Sequence, residues 1–205
     1  CTLETCRTAC NGTGNVTPPT SAETDHWALV TGASSGIGAE FARQLARRGM
    51  NVILVARRRE RLEELAAALR QECSVRTLVL VQDLSAGGAA AEIWRKTREA
   101  GCDVHLLVNN AGLSHSSCVE ETDLARIGQL IRVNIAVLTE LSYRFLPAML
   151  ARKEGGIINV ASTLAFQPAA YVGAYAASKA FVLHFSESLW EECRHLGVTV
   201  TALCP

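Results

Sequence analysis

The chain has 205 residues, 49% of them hydrophobic and 20% charged, with twenty basic and twenty acidic side chains that cancel. That length supports one domain with a sizeable core, and the balanced charge gives no global attraction to nucleic acid or to an anionic membrane. No apolar run reaches the ~18 residues of a membrane-spanning helix, and the amino end lacks the basic-then-apolar build of a signal peptide, so a cytoplasmic protein is expected.

Residues 1–25, CTLETCRTACNGTGNVTPPTSAETD, are rich in Thr, Gly, Pro and Asn without an apolar period and read as a disordered or loosely attached leader. The first residue is Cys1, not Met, so a processed or partial product is expected. From residue 26 the character is uniform to the end, which predicts a single domain over 26–205. WALVTG and NVILVA are apolar nearly throughout, as strands covered on both faces should be. Between them Ile37, Phe41 and Leu45, with Ala42 and Ala46, predict one apolar helix face, and RRG closes the helix with its glycine. A second helix is expected over about 60–72, then a strand in RTLVLVQD, a helix over 87–100 and a strand in VHLLVNNAG. A long helix over roughly 122–152, the strand GIINVAS, a loop, a helix over about 174–195 and the strand VTVTALC complete the pattern. Six strands alternating with helices predict an α/β fold: a three-layer, doubly wound parallel sheet of the Rossmann type.

Five cysteines of this region, Cys73, Cys102, Cys118, Cys193 and Cys204, are scattered without a CxxC pair. Neither a zinc site nor a disulfide framework follows, no metal site is expected, and the plain reading is small buried hydrophobes in a reducing compartment. Cys1, Cys6 and Cys10 cluster in the leader.

TGASSGIG, residues 31–38, stands where the first predicted strand ends and the first helix begins. Gly32 allows the tight turn, while Gly36 and Gly38 let backbone approach a ligand and helix pack on strand. The helix N-terminus then offers unpaired N–H groups to a pyrophosphate, with Ser34, Ser35 and Ile37 beside it. This context favours dinucleotide binding over a purely structural turn. Versions that prefer NAD place an acidic residue at the end of the second strand. Here Ala56 holds that place and Arg57 follows, which suits a ribose 2′-phosphate and favours NADP(H) over NAD(H). Arg58, Arg59 and Arg61 fit the solvated first turn of a helix.

Other polar residues sit where strands end. Asp83, next to Leu84, either caps a helix or meets the adenine amino group. NNAG brings Asn110, Ala111 and Gly112 to the same edge, where Gly112 lets backbone come close. Asn134 falls on an apolar stripe with Leu130, Ile131, Val137, Leu138 and Leu141. It is either a satisfied core amide holding loops or a helix irregularity that anchors water and passes protons. Ser162 ends the fifth strand and Tyr175 follows thirteen residues later. Lys179 lies one helical turn beyond, on the same face. A phenol releases its proton near pH ~10, and a cation held close favours the phenolate, giving an acid or base for neutral chemistry. A Ser/Lys hydrolase would leave the glycine loop and Arg57 unexplained, and no G-x-S-x-G elbow is present.

In order and spacing, TGASSGIG, NNAG, Asn134, Ser162 and YAASK together resemble the short-chain dehydrogenase/reductase family from about residue 27 to the end. The resemblance implies a tetrad of Asn134, Ser162, Tyr175 and Lys179, with Tyr175 as acid/base and Ser162 positioning a substrate carbonyl or hydroxyl. It gives Lys179 the nicotinamide ribose and the task of favouring the Tyr175 phenolate, and Asn134 the water linking Lys179 to solvent. It further implies a small-molecule carbonyl or alcohol substrate, and a homodimer or homotetramer formed through the helices near 122–152 and 174–195. Family members usually continue through a Pro-Gly turn, a substrate lid and a seventh strand, whereas this sequence stops at TALCP. A sheet lacking that C-terminal strand is therefore expected. With it come two rival functions, an NADP(H)-dependent oxidoreductase and a catalytically impaired dinucleotide-binding module.

Overall fold

Every side chain of β1 (Trp27–Thr31) and β2 (Asn51–Ala56) is buried, because both strands lie inside a sheet covered on its two faces. The structure is a computed structural model that describes residues 25–205; all of the expected leader but Asp25, with its three cysteines, lies outside the described residues. After β1 and β2 come β3 (Thr77–Val81), β4 (Val104–Asn109), β5 (Gly155–Val160) and β6 (Val198–Leu203). All pair in parallel, in the order β3-β2-β1-β4-β5-β6. The order reverses between β1 and β4, and that switch point opens a crevice at the carboxyl ends of the strands.

The two-residue period of the strands assigns the layers. Ala28, Val30, Val52 and Leu54 face α1 (Gly36–Arg47) and α2 (Arg59–Cys73). Leu29, Ile53, Leu107 and Ile157 face the opposite layer, built from α3 (Ala89–Glu99) and two later helices. Those are α5 (Leu138–Arg152) and α6 (Gly173–Cys193). Full burial of one such Leu or Ile stabilises the fold by about 1.5–3 kcal/mol.

The expected apolar face of α1 is rotated. Gly38, Ala39, Ala42, Leu45 and Ala46 are buried, whereas Ile37 is 44% exposed and Phe41 half-buried. Small residues spaced four apart let the helix axis approach the sheet, and the larger Ile37 is left over the crevice.

The long helix is not uniform. α4 (Leu124–Ile131), capped by the Asp123 carboxylate accepting from Ala125 N at 2.9 Å, runs into a π-helical turn over Arg132–Val137 and then into α5. The wider turn inserts an extra residue and shifts the helical phase. Ile131 consequently leaves the expected stripe and is 46% exposed, while Val133, Asn134 and Val137 turn inward.

A polar chain crosses the core. Asn109 and Asn159 stand opposite each other on β4 and β5. Asn109 Nδ2 donates to Asn159 Oδ1 (2.9 Å) and to Ser142 Oγ (3.1 Å), and Asn159 Nδ2 donates to Ser186 Oγ (2.9 Å). Both serines donate back to their own helices, at Leu138 O and Val182 O. The five cysteines of the described residues are free: Cys102 and Cys193 are buried, Cys73 and Cys204 half-buried, and Cys118 is exposed, against the expectation of small buried hydrophobes. Burial pushes the thiols of Cys102 and Cys193 up from their ordinary value.

Candidate active site

Thr31, the last residue of β1, organises the start of the crevice. Its hydroxyl donates to Val108 O and accepts from the N–H groups of Asn110 and Ala111, both at 3.0 Å. The Asn110 amide in turn donates to Thr31 O at 2.9 Å. NNAG is thereby fastened to the glycine loop. Gly32 takes φ +68°, and a Cβ there would stand 2.8 Å from Asn110 Nδ2. A Cβ on Gly38 would press into the same amide and stand 2.5 Å from Gly32 O, so this position must be glycine for helix, loop and strand to meet.

Gly36 differs: it takes φ +56° with open space where a side chain would be. The N-cap of α1, Ser35, makes no side-chain capping bond, and the first turn holds no acidic residue. The first N–H groups of the helix therefore face the crevice without an internal partner, with the positive end of the helix dipole behind them. Such an end is built for an anion.

A cavity of about 380 Å³ extends from this point, lined by the glycine loop, Arg57, Asp83 and Leu84, and by Asn110, Ala111 and Gly112. Most residues expected to hold a dinucleotide thus share one groove, but Gly36, Gly38, Tyr175 and Lys179 are not part of its lining. Arg57 is exposed at its rim, and among the described residues no hydrogen bond or ion pair engages its guanidinium. Arg58, expected as a solvated residue at the start of a helix, is exposed at the N-cap of α2 but also engages the glycine loop. Its guanidinium donates to Ser34 Oγ (2.9 Å), Ser34 O (3.3 Å) and Ser35 Oγ (2.8 Å), pinning the loop from the start of α2. Asp83 caps no helix. It lies two residues beyond β3, and its Oδ1 accepts from Ser85 N and Ser85 Oγ, which holds its carboxyl below the usual carboxylate range, with Arg57 adding to the effect.

The other end of the groove leads to the polar residues of the later elements. Asn134 is 1% exposed and fully occupied as a clamp. Its Oδ1 accepts from Leu113 N (2.8 Å), and its Nδ2 donates to Leu113 O (2.9 Å) and Ser178 Oγ (3.0 Å). The amide is hydrogen-bonded within the core, and a helix irregularity places it there. Its partners Leu113 and Ser178 were not singled out from the sequence, since only the π turn aims the amide at them.

Ser162 lies two residues beyond β5, its Oγ accepting from Leu164 N at 3.3 Å, so the hydroxyl proton is left to donate elsewhere. Tyr175 is half-buried in the first turn of α6. Lys179 is 4% exposed, with Nζ 5.6 Å from the centre of the Tyr175 ring and donating to Val160 O at 2.6 Å. Burial brings the Lys179 ammonium down from 10.5 to about 8, the nearby Cys204 opposing the fall. A Cβ built on Gly112 would lie 3.5 Å from both Lys179 Nζ and Asn134 Oδ1. Both are ordinary contact distances, so Gly112 marks where the groove comes up against these groups. A second, more open hollow behind Phe166 and Ala176 includes neither Ser162 nor Tyr175.

Comparisons with known proteins identify the family and the fold. The sequence profile described as short chain dehydrogenase matches residues 26–205. Very-long-chain 3-oxoacyl-CoA reductase of Anas platyrhynchos is 36% identical over 185 residues, covering 87% of this chain and 58% of the relative. Inactive hydroxysteroid dehydrogenase-like protein 1 of Homo sapiens is 37% identical over 183 residues, covering 87% of this chain and 54% of the relative. The chain thus spans about half the length of the curated relatives it matches. Among solved structures, a short-chain dehydrogenase from Sphingobium yanoikuyae in complex with NADPH superposes with a TM-score of 0.83 at 38% identity, over 87% of this chain and 70% of that one. The bulky-bulky ketone specific alcohol dehydrogenase from Comamonas testosteroni gives a TM-score of 0.83 at 36% identity, over 87% and 71%. Motifs, sheet order and comparisons together assign the chain to the short-chain dehydrogenase/reductase family.

Proposed function

We propose that the chain binds NADP(H) in the groove below α1 and acts as an oxidoreductase on a carbonyl or secondary alcohol, with Tyr175 as acid/base. The observation that carries this reading is the buried Lys179 ammonium beside the Tyr175 ring, reached from the glycine loop past Gly112. The uncapped start of α1 would take the pyrophosphate, Arg57 the ribose 2′-phosphate, and the unpaired Oδ2 side of Asp83 the adenine amino group. When bound, the nicotinamide supplies or accepts the hydride. Ser162 donates its free hydroxyl proton to the substrate oxygen and holds it near Tyr175. Tyr175 then gives that oxygen a proton in reduction, or removes it in oxidation. Lys179, still largely protonated near neutral pH, keeps positive charge beside the phenol.

A second reading, cofactor binding without turnover, draws on two observations. In this structure Lys179 Nζ is committed to Val160 O, and a human relative is named inactive. Assay of the chain and of Tyr175→Phe with NADPH and a panel of ketones tests the proposal. Turnover that collapses in the variant with NADPH affinity unchanged supports the oxidoreductase. NADPH binding without turnover in either protein supports the binding module, and no NADPH binding by calorimetry overturns both.

A further inference from the structure

At the amino-terminal edge of the sheet, opposite the groove, three potential metal ligands from distant parts of the sequence come together. His26 immediately precedes β1, His105 is the second residue of β4, and Glu154 immediately precedes β5. Because β1, β4 and β5 are neighbours in the sheet, these side chains share one corner, and their ligand atoms all lie within 4.8 Å of one another. The two imidazole rings stack with centroids 4.0 Å apart, and His26 Nε2 is 3.9 Å from Glu154 Oε1.

Two further features prepare the corner for a cation. His105 Nδ1 lies 2.8 Å from Asp103 O. A carbonyl oxygen only accepts, so Nδ1 carries the proton of this contact, which leaves Nε2 as the ring's ligand atom, as in histidines oriented for metal by an outer hydrogen bond. The pairing of β1 with β4 also breaks here: Trp27 pairs with Val104 and Ala28 with Leu106, leaving His105 as the extra residue. Such a bulge re-aims a side chain out of the regular alternation, and here it turns an imidazole towards His26. The backbone around the other two is fixed. His26 O accepts from Asn51 N, and Glu154 N donates to Met149 O at the end of α5.

We propose that His26, His105 and Glu154 bind one divalent cation of the Zn²⁺ class, with water in the fourth position. Two imidazoles and one carboxylate are a Zn²⁺ donor set. Bonds of about 2.0–2.1 Å require neighbouring ligand atoms about 3.3 Å apart, so binding would turn the two rings out of their stack, as their partial exposure allows. The site would clasp the starts of three neighbouring strands and stand apart from the chemistry at their other ends. The expectation of no metal site rested on the cysteine pattern, and no motif spacing joins residues so far apart in sequence.

The test is calorimetric titration of ZnCl₂ into the full chain after its thiols have been alkylated, which removes cysteine ligation. One equivalent per chain is expected, with a visible Co²⁺ spectrum of a tetrahedral nitrogen–oxygen site. His105→Ala and, on the exposed loop where folding is least at risk, Glu154→Gln should each weaken binding at least about tenfold. Absence of Zn²⁺ binding at micromolar concentration, or Glu154→Gln and His105→Ala binding as the parent does, would overturn the proposal.

Discussion

Replacing Lys179 by methionine separates the effect of its charge from that of its stem. Methionine keeps an unbranched apolar chain in the same space and removes the ammonium. In the folded chain burial brings that ammonium from 10.5 to about 8, so the folded state releases this proton more readily than the unfolded one. Between about pH 8 and 10.5 the unfolded chain holds more protons, and the stability of the parent rises with pH across that window. Below it the full penalty is present; above it the penalty is gone. The gap corresponds to about 3 kcal/mol. Near neutral pH the hydrogen bond to Val160 O, at about 1.5–3 kcal/mol for a charged donor, offsets much of it, so parent and variant should then be of similar stability. Urea unfolding of both proteins from about pH 7 to 10.5 reads the effect, and other titrating groups cancel in the difference. The parent should gain about 3 kcal/mol on Lys179→Met over this range. Parallel profiles would show that the ammonium is as well solvated as in water and would refute the reasoning.

Gly38→Ala should lose about 1–3 kcal/mol in urea unfolding, because its Cβ collides with Asn110 Nδ2 and Gly32 O, and dinucleotide binding should weaken with it. Asn134→Leu leaves the Leu113 N–H and C=O without their partner; a loss of about 1–3 kcal/mol per group is expected, with faster hydrogen exchange at the Leu113 amide. On the proposed cofactor assignment, Arg57→Ala lowers NADPH affinity about 10- to 100-fold and leaves NADH affinity unchanged. Arg58→Ala, by freeing Ser34 and Ser35, weakens both cofactors together; equal loss from Arg57→Ala would remove the 2′-phosphate role.

The apolar strands were legible because burial on both faces leaves no polar position to disguise them, and the glycine loop because its place between strand and helix restricts what it can be. Periodicity failed where geometry departs from the ideal. Ile37 was placed in the core of α1 since a hydrophobic residue at the right spacing cannot announce that small neighbours will take its place. Ile131 was misplaced because the π turn at Arg132–Val137 breaks the 3.6-residue period without any glycine or proline to signal it. Arg58 and Arg57 look alike in sequence, and only the path of the chain at the start of α2 sends one to the loop and the other to the rim. Thr31 was read as part of the glycine motif, but its three hydrogen bonds to β4 and NNAG join residues some eighty positions apart. Such long-range pairings leave no local mark.

The Ser142–Asn109–Asn159–Ser186 chain bears on how the molecule avoids wrong assemblies of itself. Parallel strands whose central residues are as greasy as Leu106–Val108 of β4 and Ile157–Ile158 of β5 slide past one another at little cost. Two facing amides forbid this, since a shift by one residue would carry each into hydrocarbon on the far side, stranded from its mate. The quartet therefore acts as a key that admits one alignment, and it sits immediately before Asn110 and three residues before Ser162. Whatever mutations accumulate in the greasy remainder, the spatial relation between those two loops is inherited from that key.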